Sequence, residues 1–471
     1  MDATIIIALV PVILLVAFIV YVVRTKIAGG GGERSLDLRE AVTGLVIVLV
    51  AVLIIASMTS STVSYTYSEE SKTLYINQSI EGSGQPWDSY AEDVRSVVIG
   101  NSCKLVGPGT LDSLTSLEYV SIEEGVSVRP GAFGISFEDA LGTTVGDVSG
   151  RDFVGAGDGT VYLCDPSVFT YTSGGKDIGG LASGYASAAH LVFPAENNGI
   201  AIEGIAQNAF INKTAVEEAL SHPDCAITAL GVNSFNGCTS LSEVSLPKAT
   251  TLGANVFYNC TSLIEVSLPE AVTLGSQSFK GCSSLSEVSM PKATTLQTSL
   301  FENCIALGSV SLPEARTVGD SVFSGCSSLS EASLPKATSI GLNCLLNCTS
   351  LESFSAPALV TIGTNALRAT AITQAIFQHA TDVGANAFQG CESLKTVRLP
   401  AAVTIGAAAF SGCTGITSVV FGSGLATIGS NAFANWSFYE SDGTTTIDKT
   451  VASNLAGHTF TGTASALVMQ S

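Results

Sequence analysis

The side chains of this sequence whose type and spacing could do chemistry are oxygen donors set in a column. Glu243, Glu265 and Glu287 follow one another at an even step, Glu331 rejoins the series two steps later, and Ser245, Ser267 and Ser289 follow the first three at the next position but one. Carboxylates and hydroxyls repeated on one face could ligate divalent cations or receive a basic partner. The same column, copied by duplication, also reads as a solvated acidic face. A search for catalysis finds nothing comparable. His190, His222, His379 and His458 are the only histidines, and none stands at a metal-ligand or nucleophile spacing. No phosphate loop, HExxH or GxSxG occurs. The chain is therefore not expected to be an enzyme, and no catalytic residue, metal site or cofactor is expected.

Cysteine is the second repeated chemistry. Of the twelve cysteines, Cys238, Cys260, Cys282, Cys304, Cys326 and Cys348 keep the same even step, and Cys391 and Cys413 continue the column. Equivalent residues of stacked coils lie about 4.8 Å apart with parallel side chains, whereas a disulfide wants Cβ atoms near about 3.8 Å. A column of small buried thiols is expected. Cys103, Cys164, Cys225 and Cys344 lie off the column and are the plausible bridge partners.

A step of about 22 residues is a solenoid period: each unit is too small to bury its own apolar face and stacks on its neighbours. One unit reads LSEVSLPKATTLGANVFYNCTS from Leu241. Leu241, Val244 and Leu246 alternate with Glu243 and Ser245 as a strand does, and Pro247 ends the pairing. Leu252 and Phe257 are the next anchors, and Phe257, Phe279, Phe301 and Phe323 stack as a core column. A longer period lies over the short one. Lys248, Glu270, Lys292, Glu314 and Lys336 alternate after the proline, and Gly237, Asn259, Gly281, Asn303, Gly325 and Asn347 alternate before the Cys, so the unit of duplication is a doublet.

These units resemble the BspA-like leucine-rich repeat family, in which a strand ending in Leu-Pro is followed by an Ile-Gly turn, an Ala-Phe pair and a Cys. AVTIGAAAFSGCTGITSVVF at 402–421, TIGTNAL at 361–367 and SNAF at 430–433 carry the match. The resemblance implies a β-rich leucine-rich-repeat solenoid of about ten 22-residue repeats on a surface-exposed protein that binds other proteins, with no catalytic residues. It departs from the pattern around Leu367 to Ile372, where a residue and the Cys are missing.

The chain outside the array has its own signals. Residues 4–23 and 41–58 are two apolar stretches long enough to cross a bilayer, and the basic residues of the first 58 all lie in the joint between them. By the positive-inside rule the joint is cytoplasmic, which predicts a two-span hairpin in the cell membrane with residues 59–471 extracellular. REAVTGLVIVLVAVLIIAS also has a loose resemblance to the N-terminal helix of archaeal type IV pilins. Residues 59–95 read as a spacer, 96–134 as divergent repeats, and 135–164 as a small β module. A second copy of that module follows the main array of 231–435, at 436–471, and both follow an Ala-Phe ending, so each is expected to cover an end of a solenoid. Asp139, Asp147, Asp152 and Asp158 in the first copy invite a calcium reading that the second copy does not share. Residues 165–230 read as irregular, with a capping box of Thr214 and Glu217 starting a short helix.

The formal net charge of −20 argues against nucleic-acid binding. The function expected is that of a membrane-anchored cell-surface leucine-rich-repeat protein for adhesion or protein–protein interaction. Its partners would be surface proteins of host or neighbouring cells. The alternative is a surface-coat or filament subunit, pilin-like, whose partner is itself.

Overall fold

The structure is a computed structural model that describes residues 65–470 apart from 82, 156, 158 and 173. The two expected membrane segments, at 4–23 and 41–58, lie outside the described residues, as does Asp158. Among the described residues no helix is long and apolar enough to cross a membrane.

The repeat folds as its pattern of buried positions dictates. In the coil from Leu241, the strand Glu243–Ser245 buries Val244 between half-buried Glu243 and Ser245, and Leu241 and Leu246 close the core on either side. A turn closed by the Ala249 amide donating to the Leu246 carbonyl leads into a second strand, Thr251–Leu252, which buries Leu252. Phe257 and Cys260 complete the core. Stacking these coils joins the short second strands into one 13-stranded sheet that ends at Thr427–Ile428. The expected strand face is less continuous. Strands His190–Phe193, Glu218–Ser221, Glu243–Ser245 and Glu265–Ser267 form one parallel sheet, and Ser309–Ser311, Glu331–Ser333 and Ser353–Ser355 form another.

The core columns have the expected order. Rings of Phe235, Phe257, Phe279, Phe301 and Phe323 stack at centroid spacings of 5.3–5.5 Å. All twelve cysteines are free thiols. Thiols of the column donate to the carbonyl of the core-column residue one coil back, as Cys282 does to Phe257 at 3.1 Å and Cys304 to Phe279 at 3.1 Å. The sulfur thus satisfies a backbone acceptor inside a stack where water has no room to do so. The off-column cysteines Cys103, Cys164, Cys225 and Cys344 are not bridged either.

Two differences from the sequence reading concern the N-terminal half. The stretch read as spacer is folded from residue 65 onward: Tyr65–Ser68 and Thr73–Ile76 form a hairpin whose second strand pairs in parallel with Ser96–Ile99, and Trp87 is buried beside it. Ser/Thr-rich composition hid the alternation of buried Leu74 and Ile76 with exposed Tyr75. The helix expected after Thr214 is instead the strand Glu218–Ser221, in register between His190–Phe193 and Glu243–Ser245. Ladder pairing on both sides and the burial of Ala219 and Leu220 override the local capping signal.

The chain consequently forms two solenoid blocks with separate cores, one over residues 74–161 and one over 140–467. Each is closed by the β module. Arg151–Val154 runs antiparallel to the last strand of the first block, Tyr119–Ile122, and Thr459–Thr463 does the same to Ser418–Phe421 at the end of the second. Between the blocks a small cluster of Val154, Tyr162, Val192 and Leu220 is the apolar contact.

Candidate functional site

The register of the first sheet of the second block lines up His190, Glu218, Glu243 and Glu265 on adjacent strands. Three carboxylates at neighbouring positions repel one another, and a histidine heads the column. His190 Nδ1 lies 3.5 Å from Glu218 Oε2, a charge pair longer than a good hydrogen bond, and the imidazole stacks flat on Tyr162 of the other block at 3.9 Å. Burial opposes the imidazolium, but the Glu218 carboxylate, with Glu217 and Glu138 behind it, outweighs burial and holds the His190 pKa above its ordinary value.

Beyond Glu218 the column runs into a cavity of about 320 Å³ at the meeting of the two blocks. Glu118, Val154 and Gly155 of the first block and Leu220, Ser221, Glu243, Val244, Ser245 and Glu265 of the second line it. Val154, Leu220 and Val244 lie buried behind it, its exposed lining is mostly polar, and three carboxylates stand on it. Glu118 is also 3.5 Å from Arg95 across exposed surface.

Of the residues singled out from the sequence, the structure brings Glu243, Ser245 and Glu265 to this cavity. Ser267 holds the backbone register opposite Ser245. Glu287 and Ser289 fall in the gap between the two strand-face sheets and are exposed. Glu331 belongs to the second of those sheets, between Ser309 and Ser353, so it has no glutamate beside it in register. The seven residues are therefore not one ribbon. Glu118 and Glu218 were missed. Glu218 precedes Glu243 by more than one period, and Glu118 belongs to a different block; no spacing signal points to either.

A second polar knot ties the blocks nearby. The Tyr119 hydroxyl lies 3.1 Å from His222 Nε2 and donates to Asp152 Oδ1 at 3.3 Å, while the Asp224 amide donates to His222 Nδ1 at 3.1 Å. The amide bond makes Nδ1 an acceptor, which leaves the proton on Nε2. Among the described residues no group of three or more His, Cys, Asp or Glu side chains is arranged to hold a metal ion.

Residues 203–330 and 316–440 match the BspA type leucine-rich repeat region, in six copies. The chain belongs to the BspA-type leucine-rich repeat family. No curated protein sequence matches it. Solved structures similar to this BspA-type chain include a leucine-rich repeat protein from Bacteroides ovatus, 22% identical over 58% of this chain and 80% of the other, with a TM-score of 0.45. A T. pallidum leucine-rich repeat protein is 20% identical over 44% of this chain and 87% of its own, with a TM-score of 0.35. A leucine-rich cell surface protein from Faecalibacterium prausnitzii is 16% identical over 55% and 93%, with a TM-score of 0.31.

The doublet of this sequence acquires a reason in the BspA-type array. Asn259, Gly281, Asn303, Gly325 and Asn347 all have positive φ, between 57° and 76°, a conformation that Gly and Asn adopt most readily. A Cβ on Gly281 would collide with the side-chain oxygen of Asn259 one coil back, and Gly325 stands in the same relation to Asn303. The asparagine overhangs its neighbour, so the neighbour is glycine. The charges pair by doublets too, Lys292 with Glu270 and Lys336 with Glu314.

Proposed function

We propose that this BspA-type protein is a membrane-anchored cell-surface protein that binds other proteins, and that a basic segment of the partner seats in the cleft between its two blocks. The cleft carries the reading: three carboxylates line a mostly polar cavity of about 320 Å³, which suits the charged head of a lysine or arginine. The chain's net charge of −20 steers such a partner toward it. That a leucine-rich-repeat solenoid is a binding scaffold supports the binding role, and the two apolar segments within residues 1–58 support anchoring. Self-assembly by stacking coil on coil is the weaker reading, because the antiparallel strand Thr459–Thr463 occupies the edge on which a next coil would add.

The test is capture of surface proteins from neighbouring cells by the full chain in detergent, compared with a variant carrying Glu118→Gln, Glu243→Gln and Glu265→Gln. Loss of the captured partner in the variant, and weakening of wild-type capture with rising salt, is expected. Equal capture by both proteins rejects the cleft as the binding site.

A further inference from the structure

The first module reaches the second block through a short tongue around Ala140. That residue is buried in the second block's core, and its carbonyl accepts from the amides of Ala189 at 3.0 Å and His190 at 3.2 Å. The same tongue and module surround one imidazole of the second block, that of His190. One face of the ring lies flat on Tyr162, with centroids 3.9 Å apart. Nδ1 stands 3.5 Å from Glu218 Oε2 of its own block. Past the other nitrogen, a Cβ built on Gly142 would lie 3.9 Å from His190 Nε2 and 3.8 Å from Glu138 Oε2, so the ring and the Glu138 carboxylate of the module flank one small gap. The imidazole thus stands between carboxylates of two different blocks. Glu217 adds another from the second block, while Asp139 is turned onto its own tongue, where it accepts from the Leu141 and Thr143 amides.

His190 Nδ1 and Glu218 Oε2 are buried, and neither makes a hydrogen bond. At 3.5 Å it is charge that can compensate the pair, which favours the protonated ring. A proton on His190 therefore acts in two directions. It compensates Glu218 within the second block, and it attracts Glu138 and the Tyr162 ring across the joint. The second attraction exists only while the blocks are together, so the closed joint binds the proton more tightly than the parted one, and the proton favours closure by the same factor. The other histidine of the joint works differently: His222 has Nδ1 taken by the Asp224 amide and meets the Tyr119 hydroxyl through Nε2, contacts it makes as a neutral ring.

We propose that His190 is a pH-operated latch between the two blocks, which holds them closed in acid and lets them part as the medium turns alkaline, widening the cleft that Glu118, Glu243 and Glu265 line. The latch regulates the site of the proposed function and rests on that reading for its consequence alone, since the joint opens or stays shut whether or not a partner is present. The sign follows from the carboxylates that raise the His190 pKa: closure is strongest below the ordinary histidine value of 6.5 and fades as pH rises through the value in the closed joint.

The test is hydrogen exchange of the full chain in detergent with no partner added, read by mass spectrometry at about pH 6 and about pH 8.5 and corrected for the intrinsic exchange rate. The Ala189 and His190 amides cross the joint to Ala140 and report its opening; the Phe279 amide, which donates to the Leu300 carbonyl at 2.9 Å inside the array, is the reference. On going to the higher pH, protection of the joint amides is expected to fall severalfold more than that of Phe279. His190→Gln should abolish this difference and Glu138→Gln should shrink it. Equal change at joint and reference, or a difference that survives His190→Gln, would overturn the latch; if His190→Gln does not fold, an undiminished difference in Glu138→Gln overturns it in the same way. Because the readout contains no partner, failure of the cleft in the capture experiment and failure of the latch are separate results.

Discussion

At the scale of single residues, the array is governed by positions that admit few side chains. Gly281 has a φ of +76° and lies under the Asn259 side chain, so Gly281→Ala meets both a strained backbone and a steric collision. A loss of about 2–3 kcal/mol in chemical denaturation is expected. In an Asn259→Gly background the collision is gone and the cost of Gly281→Ala should fall to about 1 kcal/mol, the backbone share alone. A cost unchanged by Asn259→Gly would mean that the overhang does not explain the alternation. The sequence displayed this alternation in full, and its reason stayed hidden because the clash is between residues a whole repeat apart that touch only once the coils stack. The Leu, Phe and Cys columns were legible for the opposite reason: each reports burial, which the period alone reveals. Within that column Cys260 and Cys304 are held well above their ordinary pKa by burial, and they serve as donors to carbonyls.

Elements were legible in proportion to their length and to how far their pairing is local. Glu243–Ser245 with its flanking leucines alternates over enough residues to be read as a strand, whereas Thr251–Leu252 is too short to show any alternation. Glu218–Ser221 was misread because Thr214 and Glu217 mimic a helix start, and only the neighbouring strands show which tendency wins. That strand brings His190 and Glu218 together at the join of the blocks. A histidine whose folded pKa is raised contributes stability that is fully present below its unfolded pKa, about 6.5, and is lost as pH rises through the folded value. Thermal melting followed from about pH 6 to about pH 8.5 should therefore show falling stability, and His190→Gln should flatten the profile over that window. A variant that keeps the wild-type slope would assign the effect to another group.

For the molecule as a whole, the candidate site was half legible. Glu243 and Ser245 stand at repeated positions, as does Glu265, and so announced themselves, while Glu118 comes from the other block and reaches the cleft only because the two solenoids meet at Val154, Tyr162, Val192 and Leu220. No property of a repeat reports where a second repeat block will pack against it. The capping modules were recognisable as duplicates, and their use is the same in both places, an antiparallel strand laid on the last parallel one.

The 13-stranded sheet of very short strands has a mechanical consequence. Its strands lie across the long axis, so tension applied between the ends of the array loads the ladder one coil at a time instead of shearing many bonds together. Each coil that peels away frees about 22 residues, or about 70 Å of chain, and leaves the next coil's edge to bear the same load. Pulled from its two ends in optical tweezers, the array should lengthen in a staircase of steps near that size at low force, as a shock absorber would; one abrupt rupture of the whole array would show that the coils fail together.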